Sequence, residues 1–133
     1  MEHSRKRQGG FLEFAAGGSD NDVRMRETMK SYIQISTTTE TKEQAESIAQ
    51  YLVEQNLAAC VQITGPITSI YRWKGKVENA QEWLCLIKTR DELFEKVEAA
   101  IKKLHPYETP EIIAVPVVKG SKEYLNWLNY ELS

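Results

Sequence analysis

Ile67-Thr68-Ser69-Ile70-Tyr71-Arg72-Trp73-Lys74-Gly75-Lys76, followed by Trp83-Leu84-Cys85-Leu86-Ile87, is the stretch on which the fold turns. In its first part Ile67, Ser69, Tyr71 and Trp73 fall on one side, and Thr68, Ile70 and Arg72 on the other. A period of two in β-branched and aromatic residues predicts a strand. Lys74-Gly75-Lys76 supplies a tight turn, so the flanking segments are expected to pair as a hairpin. The returning strand ends with Trp83, Cys85 and Ile87 on one face and Leu84 and Leu86 on the other, a strand with apolar residues on both faces.

Upstream of the hairpin, Gly65-Pro66 breaks the chain, and a separate strand is expected over 58–63. Before it, Ala45, Ile48, Ala49, Leu52 and Val53 fall at the spacing of one helical face, which predicts a helix over about 40–55. Asn56 can take the left-handed conformation that closes such a helix. Thr37, Thr38 and Thr39 offer hydroxyls for its N-cap, and Tyr32-Ile33-Gln34-Ile35 is the first strand.

Downstream, Thr89-Arg90-Asp91-Glu92 fits a capping box. Leu93, Phe94, Val97, Ala100, Ile101 and Leu104 then line a second helix, which His105-Pro106 ends because a residue before proline avoids the helical region. A last strand is expected over 112–118, with Pro116 marking an edge or a bulge. Gly120-Ser121 opens a short final helix carrying Tyr124, Leu125, Trp127 and Leu128. The order β-α-β-β-α-β plus a helix predicts an α+β, ferredoxin-like domain whose two helices cover one face of the sheet.

The other face ought to be polar, yet the Trp83–Ile87 and 112–118 strands are apolar on both sides. Two helices cannot cover both, so a second copy of the chain is expected to do so in a symmetric homo-oligomer. The competing expectation is that the C-terminal helix folds across that face.

The chain has 133 residues, is 41% hydrophobic and 27% charged, and carries a net charge of −2. This is enough for one packed core, and it excludes a general attraction to nucleic acid or anionic membranes. No apolar run approaches the roughly 18 residues of a membrane helix. Cys60 and Cys85 are too few for a disulfide scaffold and read as reduced thiols in a cytoplasmic protein. Residues 1–28 contain Gly9, Gly10, Gly17 and Gly18 and no sustained hydrophobic period. They read as a flexible or non-native extension, with the domain over 29–133.

The chemistry visible in sequence is sparse. There is no nucleophile elbow, phosphate loop, paired Cys-x-x-Cys or zinc-protease helix, so no enzyme is expected. His105 is the only histidine of the domain. With Cys60 it supplies the thiolate and imidazole that copper and zinc favour, although at no standard ligand spacing. The competing readings are a packed thiol and a helix-capping histidine. Within the aromatic load of Tyr71, Trp73, Trp83, Tyr107, Tyr124 and Trp127, Arg72, Lys74 and Lys76 surround Trp73, but the sheet motif of RNA-binding ferredoxin-like domains is absent and the net charge is acidic, so these aromatics are expected to fill the core and subunit interfaces rather than stack on bases.

Six strings occur in order: Leu57-Ala58-Ala59-Cys60-Val61, Ile70-Tyr71-Arg72-Trp73-Lys74-Gly75-Lys76, Ile87-Lys88-Thr89, His105-Pro106-Tyr107-Glu108, Pro110-Glu111-Ile112-Ile113 and Tyr124-Leu125-Asn126-Trp127. Together they resemble the CutA family of divalent-cation tolerance proteins, over about 32–132. The resemblance implies a ferredoxin-like fold assembled as a homotrimer built like the PII signalling proteins. It also implies a role in response and tolerance to divalent metals, copper especially, with no catalytic activity and no required cofactor. Cys60 and His105 take the positions of the family's candidate ligands for Cu(II) or another divalent ion. Leu104 stands where some bacterial members carry a second histidine, so one ligand is missing. The alternative implied by the PII likeness is a sensor or scaffold binding a small molecule or protein at clefts between subunits, lined by Trp73, Lys88, Tyr107 and Glu108.

Overall fold

The computed structural model describes residues 31–132; the N-terminal extension expected over 1–28 lies outside the described residues. Among the described residues, four strands and three α-helices follow one another as β1 (Tyr32–Thr39), α1 (Lys42–Glu54), β2 (Cys60–Trp73), β3 (Lys76–Arg90), α2 (Phe94–Leu104), β4 (Ile113–Pro116) and α3 (Lys122–Glu131). The strands form one antiparallel sheet in the order β2-β3-β1-β4, the α+β ferredoxin-like arrangement. Among the described residues, no helix is long and apolar enough to cross a membrane.

The core lies between the sheet and the first two helices. Ile33 and Ile35 of β1 and Cys85 and Ile87 of β3 meet Ala45, Ile48 and Leu52 of α1 and Val97 and Ile101 of α2. α1 ends where expected, with Asn56 at a φ of 59°. Its N-terminus differs from expectation. Thr41 is the N-cap, accepting from the Gln44 amide at 3.1 Å, while the Gln44 side chain accepts from the Thr41 amide at 3.3 Å. Thr37, Thr38 and Thr39 are instead buried in β1, which runs past its apolar start because threonine is itself a good strand former. The capping box expected at Thr89 is also not formed. The Thr89 hydroxyl donates to the Leu57 carbonyl at 2.6 Å, β3 continues to Arg90, and a 3-10 turn over Asp91–Leu93 precedes α2. α2 ends at Leu104, with His105 extended before Pro106. α3 is capped by Ser121, whose hydroxyl accepts from the Tyr124 amide at 3.1 Å.

The expected break at Gly65-Pro66 proves to be a bulge within one strand. Thr64 pairs with Leu84 and Ile67 with Glu82, so β2 spends one more residue than β3 there. The extra residue reverses which positions of β2 face which side. Before it, Cys60, Gln62 and Thr64 share the face of Lys88, Leu86 and Leu84; after it, Ile67, Ser69, Tyr71 and Trp73 share the face of Glu82. The hairpin then closes through Lys74 (φ 51°) and Gly75 (φ 83°), both left-handed, as a two-residue turn matching strand twist requires.

On the face away from α1 and α2, α3 covers only one end. Lys88 lies over the Tyr124 ring at 5.9 Å, and Arg90 donates to the Asn129 side chain at 3.1 Å. Leu84 and Leu86 remain half-buried, while Ile113 (57% exposed) and Val115 (50%) on the same face lie open. The expected helix cover is therefore partial.

Candidate functional site

Glu82 follows the parity of Leu84 and Leu86, which puts a carboxylate on the half-apolar face of β3. It is only 7% exposed, and a buried carboxylate needs hydrogen-bond donors. Two distant parts of the chain supply them. The bulge brings Ser69 to the same face, where its hydroxyl donates to Oε1 at 2.7 Å. The segment after α2 brings Tyr107, whose hydroxyl donates to Oε2 at 2.9 Å.

His105 fixes that segment. Its Nδ1 accepts from the Tyr107 amide at 3.1 Å, so Nε2 carries the proton and donates to the Thr38 carbonyl at 2.6 Å. The two rings lie with centroids 4.6 Å apart. Burial, the hydrogen bond to Glu82 and the charges of Glu82 and Glu40 push the Tyr107 phenol well above its usual range, so it remains a protonated donor.

Around this network lies a cavity of about 690 Å³, bounded by Ser69, Tyr71, Trp73, Glu82, Tyr107, Glu108 and Glu111 among others. The Glu82 network lies on one side of it, and Tyr71 and Trp73, toward the turn of the β2–β3 hairpin, supply its aromatic lining. Three carboxylates line it and no basic residue does, among the described residues.

The expected metal pair is not assembled within one chain. Cys60 opens β2 opposite Lys88, half-buried. His105 bonds to Thr38, whose partner on β3 is Leu84. From Lys88 to Leu84 is about 13 Å of strand at the usual rise. Both ring nitrogens of His105 are also committed to backbone groups. Among the described residues, no three His, Cys, Asp or Glu side chains converge as a metal site.

The sequence family described as CutA1 divalent ion tolerance protein matches residues 33–131. The chain belongs to this family. It is 50% identical over 91 residues to the divalent-cation tolerance protein CutA of Thermus thermophilus, covering 68% of this chain and 88% of that one. It is 37% identical over 118 residues to the chloroplastic CutA of Arabidopsis thaliana, covering 87% of this chain and 65% of that longer protein. Among solved structures, the periplasmic divalent cation tolerance protein CutA of Archaeoglobus fulgidus superposes with a TM-score of 0.75 at 42% identity, over 77% of this chain and 99% of that one.

Within this CutA domain, three of the four residues expected at a cleft, Trp73, Tyr107 and Glu108, line the same cavity. Lys88 does not. It donates to Gln62 at 2.6 Å and faces the C-terminal helix. Sequence reasoning missed Glu82 and Ser69. The available signal was a carboxylate one residue before an apolar strand, on the face shared with Leu84 and Leu86.

Proposed function

We propose that this CutA protein acts as a homotrimer in the response and tolerance to divalent metal ions, copper first among them, without a catalytic step of its own. The observation that carries the reading is the family match over nearly all the described chain, joined to an apolar face that one chain leaves uncovered at Ile113 and Val115. A face of that kind needs a partner surface, and a symmetric assembly supplies one. The engagement of both His105 nitrogens supports a binding protein rather than an acid–base catalyst. The two free cysteines fit a reducing, cytoplasmic setting. Copper held by Cys60 and His105 would draw its donors from different subunits and would displace a histidine hydrogen bond, so the uptake fits weak binding.

Light scattering on the full chain and titration with Cu(II) against a competing chelator test both halves of the reading. A trimer mass with weak, saturable uptake that falls in Cys60→Ser is the expected result. A monomer at micromolar concentration would remove the assembly, and uptake unchanged in Cys60→Ser would remove that thiol.

The cavity favours a second reading, a sensor or scaffold that holds a small molecule beside Trp73, Tyr107 and Glu108. A buried polar floor and aromatic walls are the ordinary make-up of a small-molecule site.

A further inference from the structure

We infer that the hydrogen bond from Tyr107 to Glu82 is a clasp that fixes the direction in which the β2–β3 hairpin leaves the sheet, with Tyr107 as the positioning residue.

Topology creates the need for a clasp. The last residue of β3 that pairs with β1 is Trp83, opposite Thr39. From Glu82 on to the turn, β2 and β3 pair only with each other among the described residues, so residues 67–82 form a two-stranded arm. The ladder of the arm joins its two strands and gives no hold on the body of the chain. The register shift between Thr64 and Ile67 lies at the root of the arm, and a bulge bends the strand that carries it. The arm thus leaves the sheet from a bend, and its direction needs a further constraint.

The constraint sits at that root. Glu82 is the first residue of β3 beyond the last β1 pair, and it is buried. The Ser69 hydroxyl, on the other strand of the arm, donates to Oε1 at 2.7 Å. The Tyr107 hydroxyl, from the segment after α2, donates to Oε2 at 2.9 Å. Among the described residues, this second bond is the one side-chain hydrogen bond between the arm and the rest of the chain.

Tyr107 can hold the arm because it is itself held. Its amide donates to His105 Nδ1 at 3.1 Å, and His105 Nε2 donates to the Thr38 carbonyl at 2.6 Å. A run of bonds therefore leads from β1 through His105, Tyr107 and Glu82 to Ser69. The acceptor at its centre is a buried carboxylate, so each bond to it is charge-assisted. Loss of the Tyr107 donor would leave that carboxylate with a single partner, which disfavours the open arrangement. Every bond of the run lies within one chain, so the clasp does not depend on what covers the arm in an assembly. An arm held in one direction before association also has less ordering left to lose on meeting a partner copy. That consequence alone rests on the homotrimer reading.

Hydrogen exchange on the full chain tests the clasp, with the wild type compared with Tyr107→Phe, Glu82→Leu and the double variant. Amides of residues 68–81 should exchange about tenfold faster or more in Tyr107→Phe, while those of α1 and α2 keep their wild-type rates. Glu82→Leu leaves no buried charge unpaired and should speed exchange in the arm as well. The double variant should be no faster than Glu82→Leu, because the same bond is already broken. Unchanged exchange in the arm of Tyr107→Phe would overturn the clasp. Equal acceleration in the arm and both helices would also overturn it, by reducing the bond to one more contribution to overall stability. Additive effects in the double variant would mean that the two residues act separately, and would overturn the pairing. Light scattering on the wild type reads the assembly independently. A monomer with fast exchange confined to the arm of Tyr107→Phe would remove the homotrimer and uphold the clasp.

Discussion

The two ends of β3 belong to one strand and obey different rules. At Cys85, Ile87 and Thr89 the strand is sealed, each residue 0% exposed beneath α1 and α2. At Val77 it is 66% exposed, and Ile70, diagonally across the same face of the arm, is 72% exposed. The hydrogen-bond ladder runs on to Trp73 and Lys76, so backbone pairing does not distinguish the two ends. Cover does. The helices stop before the arm begins, and a two-stranded ribbon is marginal in water by itself. The base of the sheet is therefore stabilised by its own chain, whereas the arm relies on whatever packs against it.

Substitutions can break that comparison at its strongest point first. Ile87→Ala removes a fully buried side chain between sheet and helices and should cost about 2–5 kcal/mol. Urea unfolding would measure it, and a loss below about 1 kcal/mol would mean that the base is no better packed than the arm. Gly65→Ala acts at the joint between the two regions. An added Cβ would sit 2.6 Å from Trp83 Cε3 and 3.0 Å from the Glu82 carbonyl, so the ring or the bulge must move. Overpacking of this kind should cost about 1–3 kcal/mol in thermal or urea unfolding. A neutral result would show that Trp83 shifts freely and that the bulge does not fix the parity of the arm.

At the distal end the same logic predicts a small local effect and a change in assembly. Ile70→Lys with Val77→Lys changes two exposed positions, so within an isolated chain the effect should stay near about 0.5 kcal/mol per site. If the arm packs against a second copy, the variant should lose mass by light scattering while its far-UV circular dichroism stays native. An unchanged mass would mean that the arm stands free of the assembly and that Ile113 and Val115 alone make the contact.

Most of the fold was legible because it rests on local patterns. The spacing of Ala45, Ile48 and Leu52, the left-handed Asn56 and the Lys74-Gly75 turn each carry a short-range physical requirement that the sequence displays. The threonines misled for a related reason. A β-branched hydroxyl suits both a cap and a strand, and only the pairing of Thr37 and Thr39 with Cys85 and Trp83 decides between them. The site was half legible. Trp73, Tyr107 and Glu108 stood in recognisable strings, whereas Glu82 acquires its role through a one-residue bulge that reverses the parity of β2. No periodicity announces that change. Cys60 and His105 stand apart within one chain for a topological reason, since the strand that starts at Cys60 lies lengthwise away from the carbonyl that holds His105.

The two cysteines repeat the contrast on a smaller scale and give the finest test. Cys85 lies in the sealed half of β3, its thiol 4.0 Å from the Ala45 carbonyl, and burial pushes its pKa from 9.0 up to about 11. Cys60 is half-buried at the start of β2. A disulfide reagent at neutral pH should modify Cys60 in the native protein and reach Cys85 only on unfolding, since the thiolate is the reacting form. The same shift links Cys85 to stability. Below the unfolded value of 9.0 the thiol is neutral in both states and its contribution is fully present; as pH rises through about 11 that contribution is lost, because the unfolded chain ionises first. Tyr107 and Tyr32 are also raised by burial and add to an alkaline decline in the same direction. Comparison of the wild type with Cys85→Ala isolates the thiol, and the variant should show a shallower loss of stability between about pH 9 and 11. Equal slopes would mean that Cys85 reaches solvent in the native state and that the base of the sheet opens as readily as the arm.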